Sequence, residues 1–187
     1  MLHTSGRNRL TPSRSGVASA EFAFVMTFIL VPMMIGIWEV GRATQVQQIV
    51  SNAAREGARL AGQGRTINAS GSPTDIRAAL APPSNLPNVK AAVLQSLVGA
   101  GLTNLLYTDI TVNFTFLDSP PGAIAGATDP YQGVKNQRFS VEVIVNYNNK
   151  VRWVNLGLVN ITQLRFTAEW RMLVDDPFQV NTTIPVW

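Results

Sequence analysis

The chain has 187 residues, no cysteine and one histidine, His3, so a disulfide scaffold and a zinc site of the usual Cys/His kind are both excluded. Its net charge of +4 is unevenly placed: residues 1–65 carry seven Arg against Glu21, Glu39 and Glu56, while residues 66–187 carry eight basic and eight acidic side chains. A basic excess confined to the N-terminal third is the mark of an anchor and argues against nucleic-acid binding, which needs a basic face on the folded domain.

Arg7, Arg9 and Arg14 lead into an apolar run. From Phe22 to Trp38 there are 17 uncharged residues, the lower limit for a membrane-spanning helix. At 1.5 Å per residue they cover about 26 Å, short of a hydrocarbon core of about 30 Å. Starting the helix at Val17 extends it to about 33 Å, which spans comfortably but places Glu21 inside the membrane. A lone charge there costs about 2.5–3.5 kcal/mol at the centre and less near an edge. A cleaved secretory signal, with Gly41-Arg42-Ala43 as the cut site, fits less well, because the apolar run is long and its helical pattern continues past Ala43. A plain single-pass anchor with its N-terminus inside, by the positive-inside rule, explains everything except Glu21 and Gly16.

Gly16, then four residues, then Glu21-Phe22 and an apolar helix resembles the processing pattern of type IV pilin-like proteins. The longer stretch from Ser15 to Gly62 is similar to the TadE-like family of minor pilins (pseudopilins) from tight-adherence, or Flp, pilus systems. The residues carrying the resemblance are Gly16, Glu21-Phe22, Glu39, Gly41-Arg42 and Ala53-Ala54-Arg55-Glu56-Gly57-Ala58-Arg59. Pro32 lies farther from the glutamate than the family's proline often does. The resemblance implies that a prepilin peptidase cuts after Gly16 and leaves Val17 as a new N-terminus. Glu21 then meets the ammonium of a neighbouring subunit during assembly, which offsets a desolvation cost that each charge would otherwise bear alone. Glycine suits the cut because a residue without a side chain lets an extended backbone enter a protease cleft closely.

Past the membrane, Val40, Ala43, Val46, Ile49 or Val50, Ala53, Gly57 and Leu60 recur at helical spacing, with Arg42, Gln45, Gln47, Gln48 and Asn52 on the wetter side. The small residues Ala53, Ala54, Gly57, Ala58 and Ala61 allow a partner close to the helix axis. That partner is either the chain's own domain or a second subunit. Gly62 and Gly64 stop the helix. Residues 62–87 are rich in Gly, Pro, Ser and Asn and read as a mobile connector, with a short helical turn at Asp75–Leu80. Val89–Leu106 has the spacing of a second helix weakened by Gly99 and Gly101.

Three runs then switch to period two: Ile110 to Phe116, Phe139 to Tyr147 and Leu164 to Met172. They predict half-buried strands of an antiparallel sheet, covered on its apolar face by the helix. A long loop at 118–137 joins the first two. The fold class is α+β and pilin-like, with a leader at 1–16, a transmembrane helix at 17–40, its amphipathic continuation at 41–61 and an extracytoplasmic domain at 62–187.

No catalytic constellation is present. The only histidine lies in the leader, which rules out Ser-His-Asp and Cys-His arrangements. Asp175-Asp176 lacks the further acids a cation site needs, and Gly62-Gln63-Gly64 does not follow a strand. The sequons at Asn68, Asn113, Asn160 and Asn181 are what an Asn- and Thr-rich chain produces by chance, and Tyr131 and Trp153 are lone aromatics. The expectation is a non-enzymatic structural protein of the inner membrane, with no cofactor, metal, nucleic acid or small-molecule substrate. Its N-terminus is cytoplasmic and its domain periplasmic or extracellular. The partners implied by the resemblance are the prepilin peptidase, other pilins or pseudopilins and the pilus assembly platform. The alternative is a single-pass, membrane-anchored binding module with no pilus role, whose ligand site lies in the 118–137 loop.

Overall fold

The computed structural model describes residues 15–68, 70–81, 86–147, 151 and 161–174. The arginine leader, Asp175-Asp176, Trp153 and the sequons at Asn160 and Asn181 lie outside the described residues.

One unbroken helical rod dominates the structure. Helix α1, Ser15–Val25, runs through a π-helical turn, Met26–Leu30, into α2, Val31–Gln63. Pro32 explains the π turn. It has no N–H to donate to the Phe28 carbonyl and its ring crowds that carbonyl, so widening the preceding turn relieves the clash without breaking the rod. Gly64, at φ +66°, ends α2, with its N–H donating to the Ala61 carbonyl at 3.0 Å. The left-handed conformation is one that glycine adopts without steric cost.

Strands β3 (Ile110–Phe116), β4 (Arg138–Asn146) and β5 (Gln163–Arg171) form an antiparallel sheet in the order β3-β4-β5. The register aligns the predicted apolar residues: Phe114 faces Val141 and Val141 faces Ala168, while Val112 faces Val143 and Val143 faces Phe166. Period-two alternation therefore builds one apolar face, against which α2 packs at β4 and β5. On the wet face, Glu142 accepts a hydrogen bond from Asn113 at 2.9 Å and pairs with Arg165 at 3.3 Å, and Arg138 pairs with Glu169 at 3.1 Å.

Helix α3, Val89–Gly99, lies over α2, and the small-residue face settles between them. Ala53, Ala54, Ala58 and Ala61 are fully buried within the chain's own domain. A Cβ built on Gly57 would stand 2.6 Å from Val93 Cγ2 and 3.2 Å from Val89 Cγ1, so glycine is what allows α3 to cross here. The small residues thus serve internal packing. Asn88 caps α3, its side-chain oxygen accepting from the Ala91 N–H at 2.7 Å.

Two expectations need correction. The segment read as a mobile connector with a helical turn at Asp75–Leu80 instead forms a hairpin, β1 (Arg65–Ile67) with β2 (Pro73–Asp75), and Arg77 then bridges to Asn88. Asn68 organises the turn by accepting from the backbone N–H groups of Ser70 and Ser72 at 3.0 and 2.8 Å. The second helix ends at Gly99, not Leu106. Gly101 at φ +100° turns the chain, and Leu102 and Leu105 are buried from a loop, so their apolar spacing reflects burial without helix.

Gly57→Ala should lower unfolding stability of the full-length protein in detergent. Overpacking of about 1–3 kcal/mol exceeds a helix-propensity gain of about 1 kcal/mol. Adding Val93→Ala opens the space, so the double variant should be less destabilised than the sum of the singles. Additive losses in chemical denaturation would show that the two residues do not share this contact.

Candidate functional site

The apolar half of the rod and the level at which it meets the domain form the candidate site. Gly16, Val17, Glu21 and Phe22 lie in the first turns of α1, all exposed and remote from the domain. Between Gly16 and Trp38, Glu21 is the one charged residue. Thr27 donates its hydroxyl to the Ala23 carbonyl at 2.8 Å, and Phe24 lies against Phe28 with ring centres 4.3 Å apart. The helix Gly16–Gln63 is long and apolar enough to cross a membrane, and none of its most apolar 18-residue window is buried. One such N-terminal helix is compatible with a single-pass anchor.

Ile35 and Gly36 are partly covered, and full burial begins at Glu39. Trp38 is 59% exposed, whereas Glu39, one residue on, is 7% exposed and is the first buried side chain of the rod. Arg42 is half-buried one turn later and donates to Gln45 at 3.0 Å. Tyr147, just past β4, is 3% exposed. Burial pushes its hydroxyl pKa up, and the Arg42 charge partly opposes that. The last uncovered apolar turn and the first polar turn of the domain are therefore adjacent, which gives Trp38 the position of an interfacial aromatic.

Residues 16–59 match the family model of TadE-like proteins. The match covers the whole uncovered apolar helix and most of the domain-packed half of α2. No curated protein and no solved structure matches the chain. Glu39, Gly41-Arg42 and Ala53–Arg59, the other residues of the resemblance, fall within the matched range; Glu39 is buried at the base of the domain, Ala53, Ala54, Gly57 and Ala58 are buried on the packed face of α2, and Arg55, Glu56 and Arg59 are exposed.

The 118–137 loop, expected to hold a ligand in the alternative reading, spends its polar groups on the chain itself. Asp129 pairs with Arg77 at 3.0 Å and accepts from the Ala78 N–H at 2.9 Å, while the Arg77 guanidinium lies 4.3 Å from the Tyr131 ring centre. Gln137 is buried and donates to the Asp118 carbonyl at 2.9 Å, and its own oxygen accepts from the Val134 N–H at 3.1 Å. Gln132 accepts from the N–H groups of Thr128 and Asp129 at 2.9 and 3.0 Å. Tyr131, read from sequence as a lone aromatic, is thus a packing partner of Arg77. Sequence reasoning missed Tyr107, whose hydroxyl donates to the Leu80 carbonyl at 2.6 Å and whose ring lies 4.2 Å from the Lys90 ammonium. Partners so far apart in sequence leave no local pattern.

Replacing Asp129 with alanine removes the ion pair and the acceptor for Ala78 together. Limited proteolysis should then cut the 118–137 loop faster than in the parent, with a lower melting temperature. Unchanged cleavage and melting would show that the loop is held by other contacts.

Proposed function

We propose that this protein is a minor pilin or pseudopilin of a tight-adherence pilus, a structural subunit that assists filament assembly and adhesion and performs no catalysis. The observation carrying this reading is the uncovered apolar helix with Glu21 as its only charge, inside a segment that matches TadE-like proteins. A plain anchor has no use for a carboxylate five residues after Gly16. A subunit that must find a neighbour inside the membrane has one, because opposite charges attract strongly where water is scarce.

In this reading the Arg-rich leader stays on the cytoplasmic side and the domain lies outside the inner membrane. A prepilin peptidase cuts between Gly16 and Val17. That bond lies in the first turns of α1, where fraying costs least, so it can unwind into the extended form a protease cleft accepts. The freed ammonium of Val17 on one subunit then pairs with Glu21 of its neighbour, with other pilins and the assembly platform as partners. The apolar helix is covered first by lipid and then by neighbouring helices.

Gly16→Arg should leave the full-length precursor in the membrane, read as an intact mass that retains Met1. A native mature protein that begins anywhere other than Val17 would sink the processing step.

Glu21→Gln separates the anchor from the subunit. As a mere anchor the variant should insert at least as well as the parent, because an in-membrane charge has been removed. As a pairing group its loss strands the partner's ammonium, at about 3–5 kcal/mol. The expected result is normal insertion and cleavage with loss of pili, counted by electron microscopy and surface adhesion. Wild-type piliation in the Gln variant would show that Glu21 has no pairing role.

A further inference from the structure

Glu21 and Glu39 are 18 residues apart on one rod. In an uninterrupted α-helix of about 3.6 residues per turn, that spacing is about five whole turns, and the two carboxylates would leave the rod on the same side. The α-helical ladder is interrupted once between them, by the π turn Met26–Leu30 that precedes Pro32. A π turn closes its hydrogen bonds five residues back in place of four, so it takes up one extra residue without extra rotation. At about 100° per residue, that residue shifts Glu21 off the line of Glu39 and onto the line of Val40.

The two lines differ in what stands above Glu21. Along the Glu39 line, coverage by the domain begins at Ile35 and Gly36 and is complete at Glu39 and Ala43. Along the Val40 line the rod stays open higher: Val40 is 51% exposed and Thr44, one turn on, is exposed too. From Ile35 to Thr44 that is about 13 Å more of uncovered rod. A neighbouring helix that reaches Glu21 along the Glu39 line meets the base of the domain at Ile35. Along the Val40 line it has those further turns to lie against.

We propose that Pro32 is a positioning residue for subunit pairing: the π turn it imposes rotates Glu21 from the domain-covered line of the rod onto the open line through Val40 and Thr44, where a neighbouring subunit's helix lies. The inference rests on the pairing role proposed above for Glu21 and adds its direction. Proline acts here through register. It denies the Phe28 carbonyl an N–H, the ladder widens by one residue, and every side chain before Met26 turns relative to the domain while the rod stays continuous.

The test changes register without touching Glu21. A photo-crosslinking amino acid replaces Phe24, which is exposed and one turn from Glu21, and adducts to neighbouring subunits are measured per mature protein in the membrane. Pro32→Ala lets the ladder close and returns Glu21 to the Glu39 line. One alanine inserted between residues 24 and 25, with Pro32 kept, does the same by length alone. Losing a buried pair costs more than the about 1.4 kcal/mol of a tenfold change, so each variant should cut the adduct at least about tenfold and lose pili. Deleting Thr27 in the Pro32→Ala chain gives a straight α-helix with Glu21 back on the Val40 line, and adduct and pili should return. Parent-level adduct in Pro32→Ala or in the inserted chain, or no recovery on deleting Thr27, would overturn the proposal. Glu21→Gln in the parent rod separates the two readings: parent-level adduct there removes the pairing itself, whereas loss there with an unchanged adduct in the inserted chain removes only the role of Pro32.

Discussion

The structure depends on one helix that serves two environments without a break. From Ser15 to Gln63 the backbone stays helical, and the hydrogen-bonded ladder that suits lipid, where no water can satisfy a free amide, also suits the packed interior of a domain. What changes along the rod is side-chain size and coverage. Before Glu39 most residues are apolar and uncovered; beyond it one face of α2 is buried, with small residues dominating that face from Ala53 to Ala61. Small residues let α3 and the sheet approach the same axis from two sides, and Gly57 is the closest point of that approach.

That choice has consequences for the rest of the domain. Around the small-residue stretch of α2, which also buries Val46 and Val50, the core is filled by Phe139, Val141, Val143 and Val145 from β4 and by Val89, Val93 and Leu97 from α3. The end of the domain farthest along α2 is closed by backbone contacts. Gly64, Gly133 and Met172 pack where the helix stop, the 118–137 loop and the end of β5 converge, with the Met172 N–H donating to the Gln137 carbonyl at 2.9 Å. The rod therefore meets the domain at Glu39 with no linker between them.

The folded chain presents surfaces of distinct chemical character. The apolar helix offers uncovered area and a single carboxylate, Glu21. On the wet face of the sheet, Glu142 pairs with Arg165 and Glu169 with Arg138, both as surface pairs of small energetic weight. Among the described residues β3 and β5 are the two edge strands, and α2 packs most closely on the β5 side.

Much of this was legible in the amino-acid order, because its causes are local or periodic. The apolar run with Glu21, the helical spacing through Leu60, the glycine stop at Gly64 and the three alternating strands follow from backbone geometry and side-chain polarity alone, and the strand limits came within a residue of those observed. The hairpin at Arg65–Asp75 and the early end of α3 were missed because Gly, Ser and Asn signal a turn without saying what flanks it, and because apolar spacing records burial whether or not the backbone is helical. Tertiary structure alone decided which partner the Ala53–Ala61 face receives, since small residues fit a neighbouring subunit as well as the chain's own α3. It also decided that the 118–137 loop uses Asp129 and Gln137 to hold itself, because hydrogen bonds between residues dozens of positions apart have no period. The sequence by itself determined the long apolar helix, most of the elements and their faces; only the packed chain determined which faces were already taken, because burial is a property of neighbours brought together by folding.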